Sequence, residues 1–122
     1  MLFKSAFSAG RYRLDLCQII WGRRQAQYEF EFSVNDGNLY TVYIRREDDH
    51  PLDNPLYAVR NCATAAAAWD LIDEQLTQMA TEIMSREWEL TPEEISQIYD
   101  GPSGGLLARF DFVLEERNRR QL

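Results

Sequence analysis

Residues 28–46, YEFEFSVNDGNLYTVYIRR, carry the reading on which the fold turns. Tyr28, Phe30, Phe32 and Val34 alternate with Glu29, Glu31 and Ser33, and Tyr40, Val42 and Ile44 alternate with Thr41, Tyr43 and Arg45. A period of two, with aromatic and β-branched side chains on one side, is the pattern of strands covered on one face. Asn35-Asp36-Gly37-Asn38 between them is a hairpin turn. Matching the two apolar faces sets Val34 opposite Tyr40 and Phe32 opposite Val42. That register predicts a three-residue loop with a bulge, not a two-residue turn.

Toward the N-terminus the same period continues. Tyr12, Leu14, Leu16 and Ile20 alternate with Arg11, Arg13, Asp15 and Cys17, which predicts another strand, and residues 2–7 offer one more. In the other direction, a loop containing Pro51 and Pro55 leads to a short edge strand at Leu56–Arg60. From Thr64 to Arg86 the period changes. Ala65, Trp69, Ile72, Leu76, Met79 and Ile83 recur every three or four residues, one apolar stripe on a helix about 35 Å long. Thr91-Pro92-Glu93-Glu94 is a capping box with proline at the first helical position, opening a short helix through Ile95, Ile98 and Tyr99 that stops at Gly101.

The last segment fits two patterns. Leu106, Leu107, Phe110, Val113 and Leu114 suit a helix, whereas Ala108, Phe110, Phe112 and Leu114 suit a strand. The polar tail over residues 115–120 favours the helix. Together these elements predict one α+β domain spanning residues 1–122. An antiparallel sheet of three to five strands in the N-terminal half packs against a long helix and one or two shorter C-terminal helices.

The composition bounds the function. The 122 residues are 45% hydrophobic and 27% charged, a globular balance in a chain long enough to bury a core. No run of about 18 apolar residues exists to span a membrane, and residues 1–10 lack the apolar core of a signal peptide. Cys17 and Cys62 make neither a CxxC pair nor a disulfide framework, so a cytoplasmic protein with two buried thiols is expected.

Twenty acids against thirteen bases give a net charge of −7, concentrated in residues 70–100, where nine acids meet one base. Asp70, Asp73 and Glu74 project away from the apolar stripe, and Glu82, Glu87 and Glu89 continue the charge, with Trp88 among them as an aromatic anchor. Such a face repels nucleic acid and steers toward basic surfaces, its carboxylates standing where phosphates would.

Other constellations are thinner. Trp21-Gly22-Arg23-Arg24 and Arg45-Arg46 would meet at one end of a meander, a set suited to phosphate contact and base stacking, although Glu47, Asp48 and Asp49 follow at once to neutralise it. Asp48, Asp49, His50 and Asp53 carry oxygen and imidazole donors for a divalent metal but match no defined ligand spacing. Gly101-Pro102-Ser103-Gly104-Gly105 lacks the lysine and hydroxyl of a phosphate loop. No cofactor motif and no catalytic set appears.

The leading expectation is therefore a non-catalytic acidic protein of the accessory or inhibitor kind, such as mobile elements carry. It would dock onto a basic partner, a nucleic-acid-binding protein or complex, through Asp70, Asp73, Glu74, Glu82, Glu87, Trp88 and Glu89. Direct nucleic-acid binding through Trp21, Arg23, Arg24, Arg45 and Arg46 is the second reading, and a small metal-dependent enzyme built on the acidic loop is the third. No membrane association is expected, and a homodimer through an exposed strand edge stays open.

Overall fold

The computed structural model describes residues 2–22, 27–49, 53–101 and 104–121, with residues 2–11 described by their backbone. The predicted hairpin is its centre. Strand β1 (Tyr28–Val34) pairs antiparallel with β2 (Tyr40–Arg46), with Val34 opposite Tyr40 and Phe32 opposite Val42, the register that the apolar faces require. Asn35 and Leu39 close the ladder, the Asn35 N–H reaching the Leu39 carbonyl at 3.0 Å. Only residues 36–38 then remain in the loop, and Asn38 takes the left-handed conformation (φ 59°). The Asn35 side chain accepts from the backbone N–H groups of Gly37 and Leu39, so the turn is held by its own first residue.

Strand β3 (Tyr57–Cys62) adds antiparallel to β2 and completes a three-stranded sheet in the order β1-β2-β3. The β2–β3 register shifts by one residue between Tyr40 and Val42, a bulge at which Asn61 also adopts a positive φ of 60°.

The N-terminal region departs from expectation. Residues 2–21 form a helix, α1 (Leu2–Trp21), not the strands predicted over residues 12–20 and 2–7. Leu16 and Cys17 are wholly buried and Arg13 is 8% exposed, whereas Tyr12 and Leu14 stand 37% and 39% exposed. The buried and half-buried residues at 13, 16, 17 and 20 follow helical spacing, which the alternation of 12, 14 and 16 masked. Residues 11–18 contain no β-branched side chain, a helical bias that the period-two reading overrode.

The long helix α2 (Ala65–Arg86) starts where predicted, with the Thr64 hydroxyl accepting the Ala67 N–H at 3.0 Å. Its innermost row is Ala68, Ile72, Leu76, Ala80 and Met84. Of the predicted stripe, Ile72 and Leu76 are fully buried, while Trp69 and Met79 pack partly buried beside the core. Ala68 and Ala80 are buried as fully as Ile72, Leu76 and Met84. Helix α2 lies over β2 and β3 and also packs against α1.

Helix α3 (Pro92–Asp100) carries the full capping box, with the Thr91 N–H donating to Glu94 Oε1 at 2.9 Å and the Glu94 N–H to Thr91 Oγ1 at 3.2 Å. The ambiguous last segment is a helix, α4 (Leu106–Arg120), burying Leu106, Phe110 and Val113. Among the described residues, no helix is long and apolar enough to cross a membrane.

Candidate functional site

Helical spacing sorts the acidic residues of α2. Ala66, Asp70, Glu74, Gln78, Glu82 and Arg86 recur every four residues, and all six are exposed. At about 1.5 Å rise per residue, Asp70 to Glu82 form a polar ridge about 18 Å long. Gln78 belongs to this ridge although charge alone did not mark it, and the i, i+4 count would have found it. Glu82 contacts Arg86 at 3.6 Å, with both side chains largely in solvent, a pair that holds neither strongly.

Asp73 has a different setting. It turns toward α1, where Arg13 donates from Nε to Oδ1 at 2.6 Å and from Nη2 to Oδ2 at 3.1 Å. The Arg13 guanidinium also lies 4.5 Å from the centre of the Trp69 ring. Buried charge is tolerated there because one carboxylate and one indole face supply the contacts that water would otherwise make.

Glu87, Trp88 and Glu89 form the turn from α2 to α3. Trp88 packs edge-on against Phe110 at 5.6 Å, and Glu89 is left-handed (φ 53°). Arg117 of α4 donates to the Trp88 carbonyl and approaches Glu89 Oε2 at 3.5 Å. Trp88 is thus partly buried under α4, while the Glu87 and Glu89 side chains remain exposed.

The arginine constellation is split. Arg46 Nη2 donates to the Trp21 carbonyl at 3.1 Å, and the Trp21 ring lies 6.2 Å from that of Tyr28. Trp21 therefore meets Arg46 as predicted, but from the end of a helix and not from a hairpin tip. Arg45 is on the other face of the sheet. It contacts Glu31 at 3.3 Å and donates to the Asp53 carbonyl at 2.6 Å. Arg23 and Arg24 lie outside the described residues.

In the acidic loop, Asp49 accepts from the Arg46 N–H at 3.3 Å, and His50 lies outside the described residues. Among the described residues, no group of three or more His, Cys, Asp or Glu side chains could hold a metal ion. Both cysteines are free and buried, and burial pushes the Cys17 thiol up to about 12. It therefore stays protonated at neutral pH.

The sheet shows one feature that the alternation of β1 did not predict. Phe32 and Val34 belong to the face expected to be covered, yet they are 42% and 49% exposed. Helix α2 reaches this end of β1 through Trp69, whose ring stacks on Phe32 at 6.3 Å and lies 6.1 Å from Phe30. The far end of β1 extends past the helix layer. Compared with known proteins, the chain matches no family, no curated protein and no solved structure.

Proposed function

We propose that the protein is a non-catalytic binding protein that docks onto a basic partner, a nucleic-acid-binding protein or complex whose phosphate-contacting surface it occupies. The observation that carries this reading is the ridge of Asp70, Glu74 and Glu82 on α2, three exposed carboxylates in one i, i+4 line. Carboxylates on a rigid helix keep fixed spacing, so a basic surface meets them without first ordering a loop. The rest of residues 70–100 adds charge of the same sign and raises the encounter rate with a cationic partner.

Asp73 supports the fold in this reading, not the contact. Reversing its charge would set a lysine against the buried Arg13, so it is left out of the test. The experiment compares the wild type with an Asp70→Lys, Glu74→Lys, Glu82→Lys variant as bait in lysate from the source cells, after circular dichroism has shown both to be folded. The wild type should retain basic nucleic-acid-binding proteins at about 50 mM salt and lose them at several hundred millimolar, where exposed charges are screened within a few ångströms. The variant should retain none of them. Equal retention by the folded variant would remove the reading.

A further inference from the structure

The Asn35 N–H donates to the Leu39 carbonyl and the Glu47 N–H to the Gln27 carbonyl, at 3.0 and 2.8 Å. These bonds fix the parity of the β1–β2 ladder. Glu29, Glu31 and Ser33 spend their backbone groups on β2, and Tyr28, Phe30, Phe32 and Val34 turn theirs outward. Among the described residues no strand pairs with that side. Tyr28 is buried, but everything from Glu31 to Val34 is exposed. The opposite edge is interrupted by its bulge at Asn61, a common protection against strand pairing, while β1 runs in continuous register without bulge or proline.

The side chains state which strand would fit. One face of the edge is apolar, with Phe32 and Val34. The other is acidic, with Glu29 exposed and Glu31 half exposed despite its contact with Arg45. A second copy of the chain meets like charge in the register that pairs most of β1. The antiparallel register that pairs all of β1 with itself sets Glu31 directly opposite Glu31 of the copy, in a non-hydrogen-bonded pair where side chains are closest. Shifting by two residues toward Tyr28 sets Glu29 against Glu31. A strand with cations at those positions turns the same repulsion into attraction.

We propose that β1, from Phe30 to Val34, accepts by strand addition an extended segment that alternates apolar residues with Lys or Arg. The apolar side chains lie against Phe32 and Val34, and the cations face Glu29 and Glu31. This rests on the basic-partner reading above and gives that partner a second point of contact, one fixed by main-chain hydrogen bonds.

The test titrates the 15N-labelled protein with a short synthetic peptide alternating valine and lysine, followed by amide shifts and hydrogen exchange. Exchange should slow at Phe32 and Val34, whose N–H groups turn away from β2, and change little at Glu31 and Ser33, which are already bonded to β2. Methylating the peptide nitrogens of one alternate set should weaken binding more than about tenfold, and methylating the other set should not. Val34→Pro removes one outward N–H without touching the β2 ladder and should weaken binding similarly. The peptide series answers the question even if that variant folds badly. Shifts confined to α2, equal effects of both methylation patterns, or pairing of β1 with a second copy would each overturn the inference. The Asp70→Lys, Glu74→Lys, Glu82→Lys variant should still bind the peptide at β1, so loss of the ridge and loss of the edge are read separately.

Discussion

Gly101 shows how one missing side chain permits a contact. Its φ of −64° is open to any residue, so conformation does not require glycine. The requirement is space. A Cβ there would lie 2.6 Å from the Gln97 carbonyl oxygen and closer still to the aliphatic part of Arg109. Arg109 comes so near because its guanidinium donates to the carbonyls of Ile98 and Gly101, each at 2.6 Å, placing a cation on the last turn of α3. Gly101→Ala must displace either the helix carbonyl or this cap, and should destabilise the protein by about 1–3 kcal/mol. Urea unfolding of the variant measures it, and a loss under about 0.5 kcal/mol, the range of an ordinary surface change, would refute the packing argument.

Among the elements, those whose signals are local were legible in advance. The hairpin register, the Thr91 cap and the Gly101 stop each follow from a few neighbouring residues, and each appears in place. Helix α1 was not legible, because Tyr12, Leu14 and Leu16 alternate by accident of composition. Its decisive contact, Arg13 with Asp73, spans 60 residues. The exposure of Phe32 and Val34 was hidden for a related reason, since alternation identifies a face but not how far the covering helix extends. The acidic ridge was legible in outline, and the role of Asp73 was not, since nothing local announces a buried arginine.

Helix α4 makes the same point. Gly105 offers no side chain to cap it, and the acceptor for the Leu107 N–H is Asp15 Oδ2 of α1, at 3.1 Å. Replacing Asp15 with alanine should therefore cost about 1 kcal/mol, the usual value of a helix cap, although Asp15 lies 92 residues from the helix it serves. Chemical denaturation reads the loss, and hydrogen exchange should localise the increased opening to the first turn of α4. Exchange that rises in α1 alone would show that the aspartate matters only to its own helix.

At the scale of the molecule, the helical layer holds several groups that resist ionisation. Burial raises the Cys17 thiol and the Tyr99 phenol each to about 12, and raises the Tyr12 phenol as well. Tyr99 is held by Thr81 at 3.0 Å and by the Thr77 carbonyl at 3.3 Å. In the unfolded chain these groups titrate at their ordinary values, 9.0 for the thiol and 10.0 for the phenols. Above those values the unfolded chain releases protons that the folded chain keeps, so rising pH favours unfolding. The stabilisation is intact below pH 9 and declines toward pH 12, with Cys17 and Tyr99 each contributing a slope of up to about 1.4 kcal/mol per pH unit. Tyr99→Phe should be less stable near neutral pH yet lose stability more slowly between pH 10 and 12. Parallel curves for variant and wild type would mean that Tyr99 ionises as freely in the folded state as in the unfolded one.

The bond between Asp15 and Leu107 joins two helices that leave the ribosome far apart in time. Helix α1 is translated before its partners, since its ion-pair partner Asp73 and the α4 turn that it caps follow 60 and 92 residues later. At roughly 5–20 residues per second, the nascent helix waits several seconds before either partner is made. During that interval Leu16, Cys17 and Ile19, all destined for the core, lack the α2 and α4 surfaces against which α1 packs. Docking of α1 therefore waits for α2 and α4, the two helices against which it packs.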